Sequence, residues 1–116
     1  MNAGEVGLVW FPFTGSQPGA GKVRPVLVLA ATAPGDPGDE AVVVAMITGA
    51  APRVASPRSG DVLITQWQAA NLKKPSVIRC RRIWATERSD FRNVLGNLDA
   101  ETFTLARAEV QRYMSF

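Results

Sequence analysis

The sequence predicts a mainly β protein: a small barrel-like sheet carrying one helix at its C-terminal end. Three observations lead there. The first two-thirds of the chain consist of short apolar runs broken by Gly/Pro clusters, the pattern of successive strands and turns. The tail then changes period, with apolar residues recurring at helical spacing. At 116 residues and 47% hydrophobic content, the chain is long enough to bury a core yet too short for two. A single domain over 1–116 is therefore expected.

Glu5–Phe11 is apolar and β-rich, and reads as the first strand. The following Thr14-Gly15-Ser16-Gln17-Pro18-Gly19-Ala20-Gly21 has no apolar anchor and reads as a mobile loop ending beside Arg24. Pro25–Ala31 is a continuous apolar run, as a strand buried on both faces requires. Pro34-Gly35-Asp36-Pro37-Gly38-Asp39 is a turn, and its acids fit no oxygen-ligand spacing. Ala41–Thr48 is a second buried strand, closed by Gly49. Asp61–Ile64 and Ser76–Cys80 follow, joined by the polar, Trp67-bearing segment Thr65–Pro75, and Arg82–Thr86 adds a further strand. Asp99 is placed to cap the terminal helix, with Glu101 in its first turn facing the positive end of the dipole. Phe103, Ala106, Val110, Tyr113 and Met114 form its expected apolar face.

Composition excludes several chemistries. The chain has no histidine and one cysteine, Cys80, so neither a Ser-His-Asp triad nor a Cys-His pair can form. The usual ligand set for zinc is missing, and no cofactor or metal is expected. An intrachain disulfide is impossible, which suits a reducing cytoplasm. No apolar run approaches the roughly 18 residues of a membrane span, and Met1-Asn2-Ala3-Gly4-Glu5 lacks a signal-peptide layout. A soluble cytoplasmic location is expected.

The 13 basic and 10 acidic residues are unevenly spread. Residues 1–58 are neutral, whereas 73–92 hold seven basic side chains against Glu87 and Asp90. Such a stretch is either a solvated basic face or a surface that meets phosphates or an acidic partner. Arg24 stands before a buried strand, and Pro25 biases it toward extended backbone. Its planar fork matches phosphate or carboxylate oxygens. Thr48 ends the next strand, where its hydroxyl can donate to an anionic oxygen. Taken singly, an arginine at a strand entry and a threonine at a strand end are ordinary surface residues.

Order and spacing add a further signal. Gly4-Glu5-Val6-Gly7-Leu8-Val9, the glycine-rich loop into Val23-Arg24-Pro25-Val26-Leu27-Val28, then Val42-Val43-Val44-Ala45-Met46-Ile47-Thr48 and Ser76-Val77-Ile78-Arg79-Cys80 together resemble the MazF/PemK/Kid toxins of bacterial toxin–antitoxin pairs. The resemblance runs from about residue 4 to the terminal helix. It implies an SH3-like, partly open barrel of the CcdB/PemK type, working as a homodimer on single-stranded RNA (mRNA) and neutralised by a cognate antitoxin. It also implies sequence-specific, metal-independent endoribonuclease activity, with Arg24 and Thr48 as catalytic residues. Glu5 and Arg79 match positions that serve catalysis or RNA binding in some relatives. The branch that carries Arg79 has an aspartate where this chain has Arg81, and many relatives carry a loop acid near Gln17. Neither candidate base is present here. Lys22, Gln17, Lys73, Lys74, Arg81 and Arg82 are expected along the RNA backbone, with Trp67 stacking a base. Trp84, in an apolar alternation, reads as core or dimer packing. The same superfamily includes CcdB-like gyrase poisons, and a catalytically decayed interaction domain is a third reading, because fold alone does not fix function.

Overall fold

A computed structural model describes residues 1–14, 17–36 and 38–115, without side-chain detail for 12–14 and 17–21. Six strands form one antiparallel sheet: β1 (Glu5–Thr14), β2 (Gln17–Ala31), β3 (Val42–Thr48), β4 (Asp61–Ile64), β5 (Ser76–Thr86) and β6 (Phe91–Asn97). Their order across the sheet is β4-β5-β3-β2-β1-β6. The outer strands β4 and β6 do not pair with each other, so the barrel stays partly open. A short helix α1 (Ala51–Ala55) follows β3, and α2 (Ala100–Tyr113) closes the chain.

The two buried-strand expectations hold. β3 is buried on both faces, and its neighbour β2 buries Val26, Leu27 and Val28 completely. Alternation then sorts the apolar residues into two cores. Val6, Leu27, Ala45, Ile47, Ile64, Ile78 and Cys80 share the cluster under α2, while Val9, Phe11, Val26, Val28, Val42 and Val44 share the one on the opposite face. Ile78 is completely buried in the first. Ile78→Ala should therefore cost about 2–5 kcal/mol of stability, read as a lower urea midpoint with an unchanged slope. Unaltered unfolding would mean that this cluster is not close-packed.

Four features differ from expectation. The stretch read as a loop from Thr14 is instead a hairpin: β1 continues to Thr14 and β2 begins at Gln17, with Phe13 facing Pro18 and Thr14 facing Gln17. Main-chain pairing between two long strands makes up for the missing apolar anchors. The two strands expected at 76–80 and 82–86 are a single β5 with a register shift in its pairing to β3, since Met46 faces Arg79 while the preceding Ala45 faces Ile83. Cys80, Arg81 and Arg82 lie at that irregularity, which turns the arginines out of the ladder. Neither β6 nor α1 was anticipated. β6 is a largely exposed edge strand held by pairing with β1, so no hydrophobic alternation marks it. α1 has only five residues and buries none of them.

The cap on α2 is as expected: Asp99 Oδ2 accepts from the Thr102 amide at 3.1 Å and from the Thr102 hydroxyl at 2.8 Å. Ala106 is buried, with Phe103 and Val110 packed on the core. Tyr113 and Met114 are a correction, because both are exposed at the end of the helix. The Tyr113 ring instead carries the Arg81 guanidinium, 5.0 Å above its centroid.

Candidate anion-binding site

The groove lies where the ends of β3, β4 and β5 meet α1. Thr48 ends β3, level with Val77 of β5. Across the sheet Val26 faces Met46, so two residues further along each strand Arg24 and Thr48 stand level and on the same face. Arg79 faces Met46 on one side and Asp61 on the other. Strand pairing thus sets Arg24 level with Thr48, and Arg79 level with Asp61 two residues further along the strands, all on one face.

α1 and the turn after it border these residues. Arg53 grips Asp61 with two hydrogen bonds, Nε to Oδ2 at 2.5 Å and Nη2 to Oδ1 at 2.9 Å. The Arg58 amide donates to the same Oδ2 at 2.9 Å. Asp61 is almost wholly buried, at 2% side-chain exposure. Burial alone would raise its pKa. The Arg53 hydrogen bonds, the Arg58 amide and the charges of Arg53 and Arg79 outweigh it and hold the carboxyl below its ordinary range. Gly60, at φ 85°, completes the turn; a side chain there would strike Arg81.

One open groove is lined by Thr48, Pro52, Arg53, Arg58 and Arg79. A second, sharing Arg53, Arg58 and Arg79, adds Asp61, Arg81 and Arg82. The lining therefore holds five arginines and one carboxylate. Arg79 Nε is buried without a hydrogen-bond acceptor, which costs roughly 1–3 kcal/mol for a neutral donor and more for a charged one. Burial first, then the like charges of Arg53, Arg82 and Arg58, weaken the hold of Arg79 on its proton. An anion in the groove would offset the like charges. The Thr48 hydroxyl oxygen accepts from the Ala50 amide at 3.2 Å, which leaves its own proton free to donate into the groove.

The other expected site residues are scattered. Lys22 is exposed two residues before Arg24, on the same face of β2. Gln17 lies outside the residues whose side chains are described. Lys74 passes over Gly49, beside Thr48, where any Cβ on Gly49 would collide with it. Lys73 is exposed but lines neither groove. Trp67 is half-buried against the core below α2 and lines neither groove. Glu5 opens β1, four residues or about 13 Å before Val9, the partner of Arg24, and its carboxylate accepts from the Asn2 amide at 2.6 Å. Trp84 meets Phe11 edge-on at 5.7 Å, but 45% of it remains exposed. Cys80 is buried and its thiol is pushed up to about 12, chiefly by burial and then by Glu109 and Asp61, so it is no nucleophile. Among the described residues no His/Cys/Asp/Glu group is arranged to hold a metal ion, and no helix is long and apolar enough to cross a membrane.

Arg53 and Arg58 were not singled out by sequence, because they fall in the half whose charges cancel. The available signal was Arg53-Val54-Ala55-Ser56-Pro57-Arg58-Ser59-Gly60-Asp61, two arginines and a carboxylate packed between two strands.

A partly open antiparallel sheet packed under one long helix, with an arginine-lined groove at its strand ends, defines a small, mainly β protein. The chain belongs to the PemK-like, MazF-like toxins of type II toxin–antitoxin systems, whose family model matches residues 2–114. Among solved structures it is similar to the Mycobacterium tuberculosis toxin MazF-mt6, at TM-score 0.65 and 20% identity over 93% of each chain. That likeness establishes the fold. No curated protein sequence matches.

Proposed function

We propose that the protein is a metal-independent endoribonuclease that cuts single-stranded RNA in a sequence-specific way, with activity restrained by a cognate antitoxin. The observation that carries this reading is the alignment of Arg24, Thr48 and Arg79 on one face beside an arginine-lined groove, in a chain of this toxin family.

The chemistry follows from the groups present. The ribose 2′-oxygen attacks the adjacent phosphorus and gives up its proton as the bond to the 5′-oxygen breaks. The departing 5′-oxygen takes up a proton, leaving a 2′,3′-cyclic phosphate and a 5′-hydroxyl. Arg24 presents a fork of donors to the non-bridging oxygens as negative charge gathers on them, which is the largest single contribution such a site can make. Thr48 donates its free proton to one of those oxygens, and Arg79 adds positive charge nearby from the β5 side. The carboxylate lining the groove, Asp61, is ionised but held by Arg53, so it positions groups and does not shuttle protons. Glu5 is too remote from Arg24 to take the 2′ proton. Lys22, Lys74 and Arg82 border the path of the RNA backbone.

Purified protein should cut single-stranded RNA in excess EDTA, and end analysis should show cyclic phosphates and free 5′-hydroxyls. A need for added Mg²⁺ would overturn the mechanism. Intact RNA together with cleaved, trapped DNA would instead support a gyrase poison.

A further inference from the structure

The arginine groove extends beyond Thr48. Thr48, Arg58 and Arg79 line its first part, while Arg58, Arg79 and Arg82 line the part beyond, away from Thr48. Arg53, which could have joined them, is already spent on Asp61 through two hydrogen bonds. The same carboxylate takes the Arg58 amide, so it fixes the turn that carries the Arg58 side chain. The outcome is two exposed arginines, Arg58 and Arg82, flanking a third, Arg79, whose buried Nε has no acceptor.

We infer that Arg58, Arg79 and Arg82 form a second phosphate subsite, held in shape by the Arg53–Asp61 clamp, that grips a backbone phosphate next to the one under attack. Three guanidiniums around one tetrahedral anion offer it several charge-assisted donors, and the anion cancels the repulsion among them. An RNA strand fits better than an acidic protein segment, because the subsite is continuous with the groove that holds Thr48, and successive phosphates come at a fixed repeat. This inference rests on the endoribonuclease reading for its register, although not for its anion chemistry.

The test uses the whole protein and a fluorescent 12-nucleotide RNA with 2′-O-methyl riboses, which binds but cannot be cut. One phosphate contact in a single strand adds about 0.7 to the slope of log K against log salt. The double variant Arg58→Ala/Arg82→Ala should therefore have a slope shallower by about 0.7 and bind about fivefold more weakly at 0.1 M salt. Arg58→Lys/Arg82→Lys should restore the slope. Both residues are exposed, and circular dichroism verifies that the variants are folded. An unchanged slope and affinity would overturn the subsite. So would RNA binding that is unaffected while a poly-glutamate peptide loses its affinity, since that marks a protein-docking patch. Cleavage of unmodified RNA is followed in parallel. Arg24-dependent cutting with equal slopes sinks the subsite alone, whereas a slope difference without any cutting supports the subsite and sinks the nuclease.

Discussion

Arg24→Ala should slow RNA cleavage by about 100- to 1000-fold, the usual loss when one aimed donor is removed from a site that stabilises developing negative charge. The size of the effect comes from placement. Arg24 sits on β2 level with Thr48, one strand away, next to the fixed Val26–Met46 register, so in the proposed reaction its fork would meet the phosphate without reorganisation. Arg24→Lys keeps the charge but loses the planar bidentate geometry, and should recover only part of the rate. Because Arg24 is half-exposed in the middle of β2, neither change should alter unfolding much. Single-turnover cleavage of a labelled RNA measures the chemical step directly. An alanine variant that cuts at the parental rate would remove Arg24 from the mechanism.

The second large effect concerns stability. Asp61→Ala leaves Arg53, only 15% exposed, without its partner, and also strips the Arg58 amide of its acceptor. Removing one member of a buried pair costs about 3–5 kcal/mol, and urea unfolding should show it. A pH dependence comes with it. The folded-state pKa of Asp61 is lower than the unfolded one, so the unfolded chain binds the proton more tightly. The stabilisation is complete above the unfolded value, near pH 3.9, and is lost as pH falls through the folded pKa. Parent and variant stabilities should therefore converge in strong acid. Parallel curves down to the lowest pH would show that the clamp contributes nothing through its charge.

The central strands were legible because burial on both faces leaves a continuous apolar run, as in Val42–Ile47 and Pro25–Ala31. The terminal helix was legible from Asp99 and the spacing of Phe103, Ala106 and Val110. Edge strand β6 was not, since the pairing that holds it lies in β1 and writes nothing into its own side chains. The basic stretch 73–92 misled in another way. Charge per residue cannot say which way a side chain leaves the backbone. Arg79, Arg81 and Arg82 all line the groove, Arg81 while it also stacks on Tyr113, whereas Arg92 lies 5.8 Å over Trp10. Trp67, expected against RNA, is packed on the core instead.

By itself the sequence determined the fold class, the order of the strands read from it, the helix cap and the absence of histidine chemistry. Those properties are carried by residue type and local spacing, which a single chain displays in full. Only the tertiary structure decided that Arg53 and Arg58, from a half with no net charge, join Arg79 across β3, β4 and β5, and that Glu5 stands apart. Such neighbours are set by strand register and by a five-residue helix, and the energy that places them comes from Asp61, a partner that their own spacing does not reveal.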